Sequence, residues 1–291
     1  MNHYPEIHHL KNNPSLEGMA FLKSGIVYST ESGGELTLDL LLPWSVREPE
    51  LSSKRYPLIV FVQGSAWTTP DRENEIPQLS AYAREGFVVA TVGHRNYQNG
   101  YPFPAYLQDV KCAIRYLRKN ADQYGIDPER VAIWGTSSGG NTALLVGLTA
   151  GDPRYETSEY TGYSDAVCAV VSCFGPTDMQ DIVDQYKEDP TMPLMLGGLY
   201  GPDSEKWQER ICEMSPICHV HKDVKYPPFL LLHGDADPVV RFSEMVDFYH
   251  KLLDSGVSAE AYQVDEAVHE GNFWSEEVRS VIREFLMRTV A

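Results

Sequence analysis

Arg130-Val131-Ala132-Ile133-Trp134-Gly135-Thr136-Ser137-Ser138-Gly139 is the stretch on which the fold turns. A β-rich apolar run leads into Gly-x-Ser-x-Gly, and small residues and leucines suited to a helix follow at 141–149. The motif requires that strand–turn–helix setting, because the serine sits on a sharp turn whose neighbours must lack bulk. Such a turn lifts the hydroxyl above the sheet edge and aims a helix N-terminus at negative charge developing there. The backbone N–H of Ser138 then lies where an oxyanion can accept from it. The letters alone prove little, since a glycine-rich turn with an N-capping serine has the same pattern. Ser138 is a rival nucleophile by type, but its spacing to the glycines is wrong.

Outward from this stretch, strand and helix patterns alternate, which predicts a mostly parallel sheet covered on both faces. Residues 25–30 and 36–42 flank Glu31-Ser32-Gly33-Gly34-Glu35 and predict an antiparallel hairpin at the sheet edge. Continuous apolar runs at 57–62 and 86–92 suit buried strands. Asp127-Pro128-Glu129 predicts a turn into the strand at 130–134. Further strands are expected at 166–173, 227–232 and 259–264, with helices at 77–85, 105–120, 242–255 and 275–289. Residues 178–216 break the rhythm and carry Met192, Leu194, Met195, Leu196, Tyr200 and Trp207. An excursion of this length between core strands is either a lid-like binding insertion or a subdomain that only packs. The expected organisation is an N-terminal arm at 1–24 and one domain at 25–291 containing that insertion.

A serine hydroxyl needs a histidine to take its proton and a carboxylate to hold that histidine. In a strand–turn–helix setting of this kind the partners follow as Ser, Asp or Glu, then His. The run Phe229-Leu230-Leu231-Leu232 ends in His233-Gly234-Asp235-Ala236-Asp237, so Asp235 and Asp237 both lie just past a buried strand. The strand at 259–264 leads to Asp265-Glu266-Ala267-Val268-His269, which puts His269 on the next loop. His233 directly precedes a glycine at a strand end and suits a structural role. His94, His219 and His221 are further competitors without a carboxylate at a suggestive place. After the strand at 58–62, Gln63-Gly64-Ser65-Ala66-Trp67 supplies candidate oxyanion donors through the backbone of Ser65 and Ala66. Gln63 and Trp67 are candidate substrate-binding residues on the same loop.

Charge and cysteine usage narrow the function classes. The net charge is −17, so nucleic acid and anionic lipid are not expected as partners. No run approaches the roughly 18 apolar residues of a membrane span. The start of the chain lacks the basic and apolar runs of a signal peptide. Five cysteines without Cys-x-x-Cys suit free thiols, and a cytoplasmic location is the expectation. Cys168 and Cys173 could be half of a metal site, but the second half is missing, so no metal is expected.

Taken together, Asp109-Val110-Lys111, the run 113–118, the run 124–130 and Gly135-Thr136-Ser137-Ser138-Gly139-Gly140 resemble the esterase/lipase branch of the α/β-hydrolases. The nearest group is the bacterial feruloyl-esterase-like and acetyl-esterase-like enzymes, with kynurenine formamidase and the prolyl oligopeptidase catalytic domain as relatives. Phe174-Gly175-Pro176-Thr177-Asp178, Ser215-Pro216-Ile217 and the run 233–240 look like the same group, and the similarity covers about 35–290. The resemblance implies an α/β-hydrolase fold with Ser137 as nucleophile and His269 as base, and it selects Asp237 over Asp235. It implies a serine carboxylic-ester hydrolase acting through an acyl-enzyme on small or aromatic acyl esters, including those of carbohydrate, with no cofactor. An amide or peptide hydrolase with the same three residues, and a non-catalytic binding protein that kept the fold, are the alternatives. One departure stands out. The group commonly has His-Gly-Gly-x-Trp where this chain has Gln63-Gly64-Ser65-Ala66-Trp67. Acyl and alcohol specificity and oligomeric state are not legible.

Overall fold

The computed structural model describes residues 7–31, 33–48 and 53–291. Ser32, in the turn expected between the first two strands, lies outside the described residues. In chain order the elements begin with β1 (Ala20–Ser29), β2 (Leu36–Pro43) and β3 (Tyr56–Val62). They continue with α1 (Ile76–Arg84), β4 (Val88–Val92), α2 (Ala105–Lys119), α3 (Ala121–Tyr124), β5 (Ile126–Thr136) and α4 (Ser138–Leu148). After β6 (Ala169–Cys173) come α5 (Met179–Gln185), α6 (Met192–Tyr200) and α7 (Trp207–Met214). The chain ends with β7 (Phe229–Gly234), α8 (Phe242–Asp254), β8 (Ala259–Val264) and α9 (Glu276–Thr289).

Among the described residues, eight strands form one sheet in the order β1-β2-β4-β3-β5-β6-β7-β8. β2 runs antiparallel to both β1 and β4. From β4 through β8 every pairing is parallel. Successive side chains in a strand point to opposite faces, so a strand buried on both faces must be apolar throughout. β3 is buried at all seven positions. Its Leu58, Val60 and Val62 pack with Ile114, Leu144 and Phe248 on the face covered by α2, α4 and α8. Its Ile59 and Phe61 pack with Leu79, Ile282 and Phe285 on the face covered by α1 and α9. Full burial of such a side chain contributes roughly 2 kcal/mol, so a one-residue slip of register would be costly. This is the α/β-hydrolase architecture.

Three boundaries differ from the sequence expectation. β1 starts at Ala20, inside the stretch read as an arm to residue 24, because Ala20 pairs with Pro43 and the ladder uses all of β2. Among residues 7–19 no helix or strand occurs. The turn expected at 127–129 lies within β5 as a bulge, between the pairings Tyr56 with Ile126 and Leu58 with Val131. Its turn chemistry survives there, since Asp127 accepts the Glu129 N–H at 3.0 Å. The helix expected at 141–149 begins earlier, at Ser138.

Residues 178–216 contain α5, α6 and α7, and their two stems are stitched to the core. Asn141 of α4 donates from Nδ2 to Pro176 O at 3.0 Å and to Met214 O at 2.9 Å. The Ile217 N–H donates to Thr177 O at 3.1 Å, and the Met179 N–H donates to Ser215 Oγ at 2.8 Å. Glu244 Oε2 accepts the N–H groups of Thr177 at 2.9 Å and Asp178 at 3.1 Å. The roots of the insertion are therefore fixed, and its outer helices project over the C-terminal edge of the sheet.

Candidate active site

The parallel strands end in register. Val62 pairs with Gly135, Thr136 with Cys173, Cys173 with Leu232, and Gly234 with Val264. The loops after β3, β5, β7 and β8 consequently meet at one edge, where open α/β sheets build their sites.

Ser137 stands between β5 and α4 with φ 52° and ψ −125°, a strained conformation for a residue with a side chain. The two motif glycines make this turn possible by their missing Cβ atoms. A Cβ on Gly135 would lie 2.0 Å from Gly139 O, and one on Gly139 would lie 2.1 Å from Val62 O. The Ser137 N–H donates to Cys173 O at 3.0 Å, which fixes the turn against the neighbouring strand.

His269 Nε2 lies 2.9 Å from Ser137 Oγ, and its Nδ1 lies 2.8 Å from Asp237 Oδ2. The imidazole is mostly buried, at 15% side-chain exposure, with its ring edge-on to Phe174 at 4.8 Å between centroids. A brace through Asn272 holds its loop: Asn272 Oδ1 accepts the Val268 N–H at 2.9 Å, and Nδ2 donates to Glu266 O at 3.1 Å. Asp237 has a fully buried carboxylate. Its Oδ1 accepts the N–H groups of Val239 at 2.8 Å and Val240 at 3.1 Å. Burial alone would raise its pKa. Hydrogen bonds from His233, His269 and these two backbone N–H groups outweigh burial and hold the carboxyl well below its ordinary range.

Asp235, the other acidic candidate, faces away. It is exposed, and it accepts the Glu266 N–H at 2.6 Å and Gln263 Nε2 at 2.9 Å. It ties the loop after β7 to the end of β8. Of the competing histidines, His94 is buried with Nδ1 2.9 Å from Arg95 O, and burial lowers its pKa to about 4. His219 Nε2 lies 2.8 Å from Glu213 O, within the insertion's second stem.

The loop after β3 is bound to the turn that carries Ser137. The Gly64 N–H donates to Thr136 Oγ1 at 2.9 Å. The Ser65 N–H donates to Ser138 Oγ, also at 2.9 Å. This corrects the reading of Ser65 as an oxyanion donor, because the hydroxyl of Ser138 already occupies its N–H. Ala66 and Trp67 adopt φ values of 49° and 58°, and both line a cavity beside Ser137 and Ser138. Gln63 does not line that cavity. It is 7% exposed, and its Oε1 is buried without a hydrogen-bond partner, so the expected substrate contact gives way to an interior position. The next residue, Gly64, packs directly on Ser137, which leaves Gln63 behind the turn.

The cavity has a volume of about 250 Å³. Its far wall is mostly apolar, with Ile182 of α5, Tyr186 just after it, Met192 and Met195 of α6, and Val239 and Val240 from the loop after Asp237, while Asp189 and Thr191 add a polar edge. None of these was singled out from sequence as a site residue, although the apolar richness of the insertion was visible. Ser138 Oγ and Asn272 were missed too, because a lone polar residue has no periodic signature.

Arranged this way, the site can deprotonate a serine hydroxyl next to a partly enclosed apolar cavity. Comparisons with known proteins agree with its architecture. The BD-FAE family model matches residues 45–252, which include Ser137 and Asp237. Esterase LipC of Mycobacterium tuberculosis is 31% identical over 75% of this chain and 53% of its own length. Esterase LipQ of the same organism is 29% identical over 79% of this chain and 52% of its own. The chain thus spans about half the length of the curated relatives it matches. A solved structure described as a truncated carbohydrate esterase from gut microbiota superposes with a TM-score of 0.74 at 29% identity, covering 93% of this chain and 96% of that one. Esterase 2 of Thermogutta terrifontis, solved with butyrate, shares the fold with a TM-score of 0.74 at 22% identity, covering 94% of this chain and 95% of its own. With the family model spanning the Ser137 turn, the central strands and the insertion, the chain belongs to the BD-FAE family.

Proposed function

We propose that this protein is a serine carboxylic-ester hydrolase that works through an acyl-enzyme. The observation that carries the reading is the hydrogen-bonded series Asp237–His269–Ser137, with links of 2.8 and 2.9 Å. Ser137 Oγ attacks the ester carbonyl while His269 Nε2 takes its proton. The carbonyl oxygen becomes an oxyanion facing the Ala66 and Ser138 N–H groups. As the C–O bond breaks, His269 gives the proton to the leaving alkoxide and the acyl group stays on Ser137. A water then repeats the sequence with His269 as base and releases the acid. Asp237, held ionised, fixes the tautomer that presents Nε2 and stabilises the imidazolium. One oxyanion donor is typically worth about 3 kcal/mol of barrier. These steps use side chains and backbone of this chain alone.

His269 is not among the residues lining the cavity. The leaving alcohol must reach His269, so the cavity suits the acyl group. Its methionine and aromatic wall fits a small or aromatic acyl chain. An ester on carbohydrate is part of the reading, supported by the description of a similar solved structure as a carbohydrate esterase. The reading also includes a cytoplasmic setting, supported by five free cysteines, and excludes nucleic acid and anionic lipid as partners on the net charge of −17. Among the described residues no helix is long and apolar enough to cross a membrane.

The test is a substrate panel of p-nitrophenyl acetate, p-nitrophenyl butyrate, methyl ferulate and alanyl-p-nitroanilide, with labelling of Ser137 by a fluorophosphonate. Ester turnover that disappears in Ser137→Ala is the expected result. Preference for the anilide would move the assignment to amide hydrolysis. An unlabelled, inactive protein would support a binding role instead.

A further inference from the structure

Asp237 Oδ2 receives two imidazoles. His269 Nδ1 lies 2.8 Å away, and His233 Nε2 lies 3.1 Å away on the other side. His233 is the penultimate residue of β7, is wholly buried, and has its ring edge-on to Phe242 of α8 at 6.1 Å. The same Nε2 is 3.0 Å from Val240 O. A carbonyl oxygen can only accept, so Nε2 carries the proton and shares it between Val240 O and Asp237 Oδ2. Nδ1 is buried with no hydrogen-bond partner. His233 therefore offers Asp237 a donor from Nε2.

We propose that His233 is a positioning residue that aims and tempers Asp237 for the reaction. The inference rests on the acyl-enzyme reading above. Oδ1 is held by two backbone N–H groups and Oδ2 by His233, so the carboxylate cannot rotate away from His269. The donated N–H also draws electron density from Oδ2, which makes Asp237 a weaker base towards the His269 imidazolium. The acid limb of kcat/KM reads that difference in basicity. The other titratable group that interacts with this carboxylate is Tyr186, just after α5, and Tyr186 in turn feels Arg241 and Glu244 at the start of α8. None of them changes in the test below.

The experiment compares the pH dependence of kcat/KM on p-nitrophenyl acetate for wild type, His233→Leu and His233→Gln, with thermal unfolding of each. Leucine fills the site without donating, whereas the glutamine amide can place an N–H near the position of Nε2. His233→Leu should move the acid limb up by roughly half a pH unit or more and lower kcat about 10-fold, as loss of a hydrogen bond to a charged group would. His233→Gln should return the limb towards wild type. A folded His233→Leu enzyme with an unmoved acid limb overturns the proposal. If that variant does not fold, the ring nitrogen shifts of ¹⁵N-histidine-labelled wild type decide: protonated Nε2 on His233 supports the proposal, and protonated Nδ1 overturns it. Turnover persisting in Ser137→Ala would instead overturn the acyl-enzyme reading, so the two failures are distinguishable.

Discussion

His269 Nε2 lies 2.9 Å from Ser137 Oγ although 132 residues separate them in the chain. The contact is made by strand ends in register, and it depends on a serine backbone held at φ 52°. Geometry and strain are therefore two separable properties of residue 137.

Replacing Ser137 should separate them in a measurement. Ser137→Ala and Ser137→Gly both remove the hydroxyl and should lose at least about 10⁴-fold in turnover of p-nitrophenyl acetate. Only glycine relieves the strained backbone, so Ser137→Gly should unfold later than Ser137→Ala, by about 1 kcal/mol in urea titrations. Equal stabilities would show that the turn is not strained. Asp237→Asn should also cost on the order of 10⁴ in kcat, with the fold kept, because the amide favours the wrong imidazole tautomer.

The motif glycines are steric requirements of the turn. An added Cβ on Gly139 meets Val62 O at 2.1 Å, and that carbonyl belongs to the rigid backbone of β3. Gly139→Ala should destabilise by more than about 3 kcal/mol or abolish soluble expression. Gly34 is a control, since a Cβ there meets nothing within 4 Å. Gly34→Ala should stay within about 0.5 kcal/mol of wild type. Comparable losses at both positions would refute the steric account.

Asn141 joins α4 to both stems of the insertion. Asn141→Leu keeps the volume but leaves Pro176 O and Met214 O without this donor. Each buried carbonyl left unpaired costs about 1–3 kcal/mol, so a total loss near 3 kcal/mol is expected. Hydrogen exchange should accelerate selectively across 176–217. Uniform acceleration over the whole chain would show that Asn141 has no special hold on the insertion.

Glu244 ties the first stem to α8 and makes stability depend on pH. Burial raises its pKa to about 8, the Asp178 and Thr177 N–H groups lower it, and the charges of Asp181 and Asp178 raise it. An ordinary glutamate in the unfolded chain titrates near ~4.3. Between these values the folded state holds a proton that the unfolded state has released, so stability falls as pH rises through that window. Oε1 is buried without a partner, while Oε2 accepts both N–H groups. Glutamine reproduces the protonated acid in shape and acceptor. Melting temperatures of Glu244→Gln should decline less than those of wild type from pH 6 to pH 8 on the scale of roughly the shift described. Parallel curves for the two proteins would remove Glu244 as the cause.

Sequence periodicity was sufficient for the strand and helix order, because continuous apolar runs such as 58–62 can be buried only between two helical layers. It also pointed to Ser137 and His269, since each lies at the end of a strand pattern and the order along the chain is restrictive. The hinge between Asp235 and Asp237 was not local information. Both follow the same strand, and only the closing of the loop after β8 shows that Asp235 accepts the Glu266 N–H while Asp237 faces His269. The same holds for Ser65, whose N–H direction depends on a hydroxyl 73 positions away, and for Gln63, whose side chain turned inward. The sequence by itself determined the candidate residues and which strands carry them, because burial imposes a period that can be read along the chain. Only the tertiary structure decided which donor meets which acceptor, because hydrogen bonds depend on distance and direction between segments that local patterns do not relate.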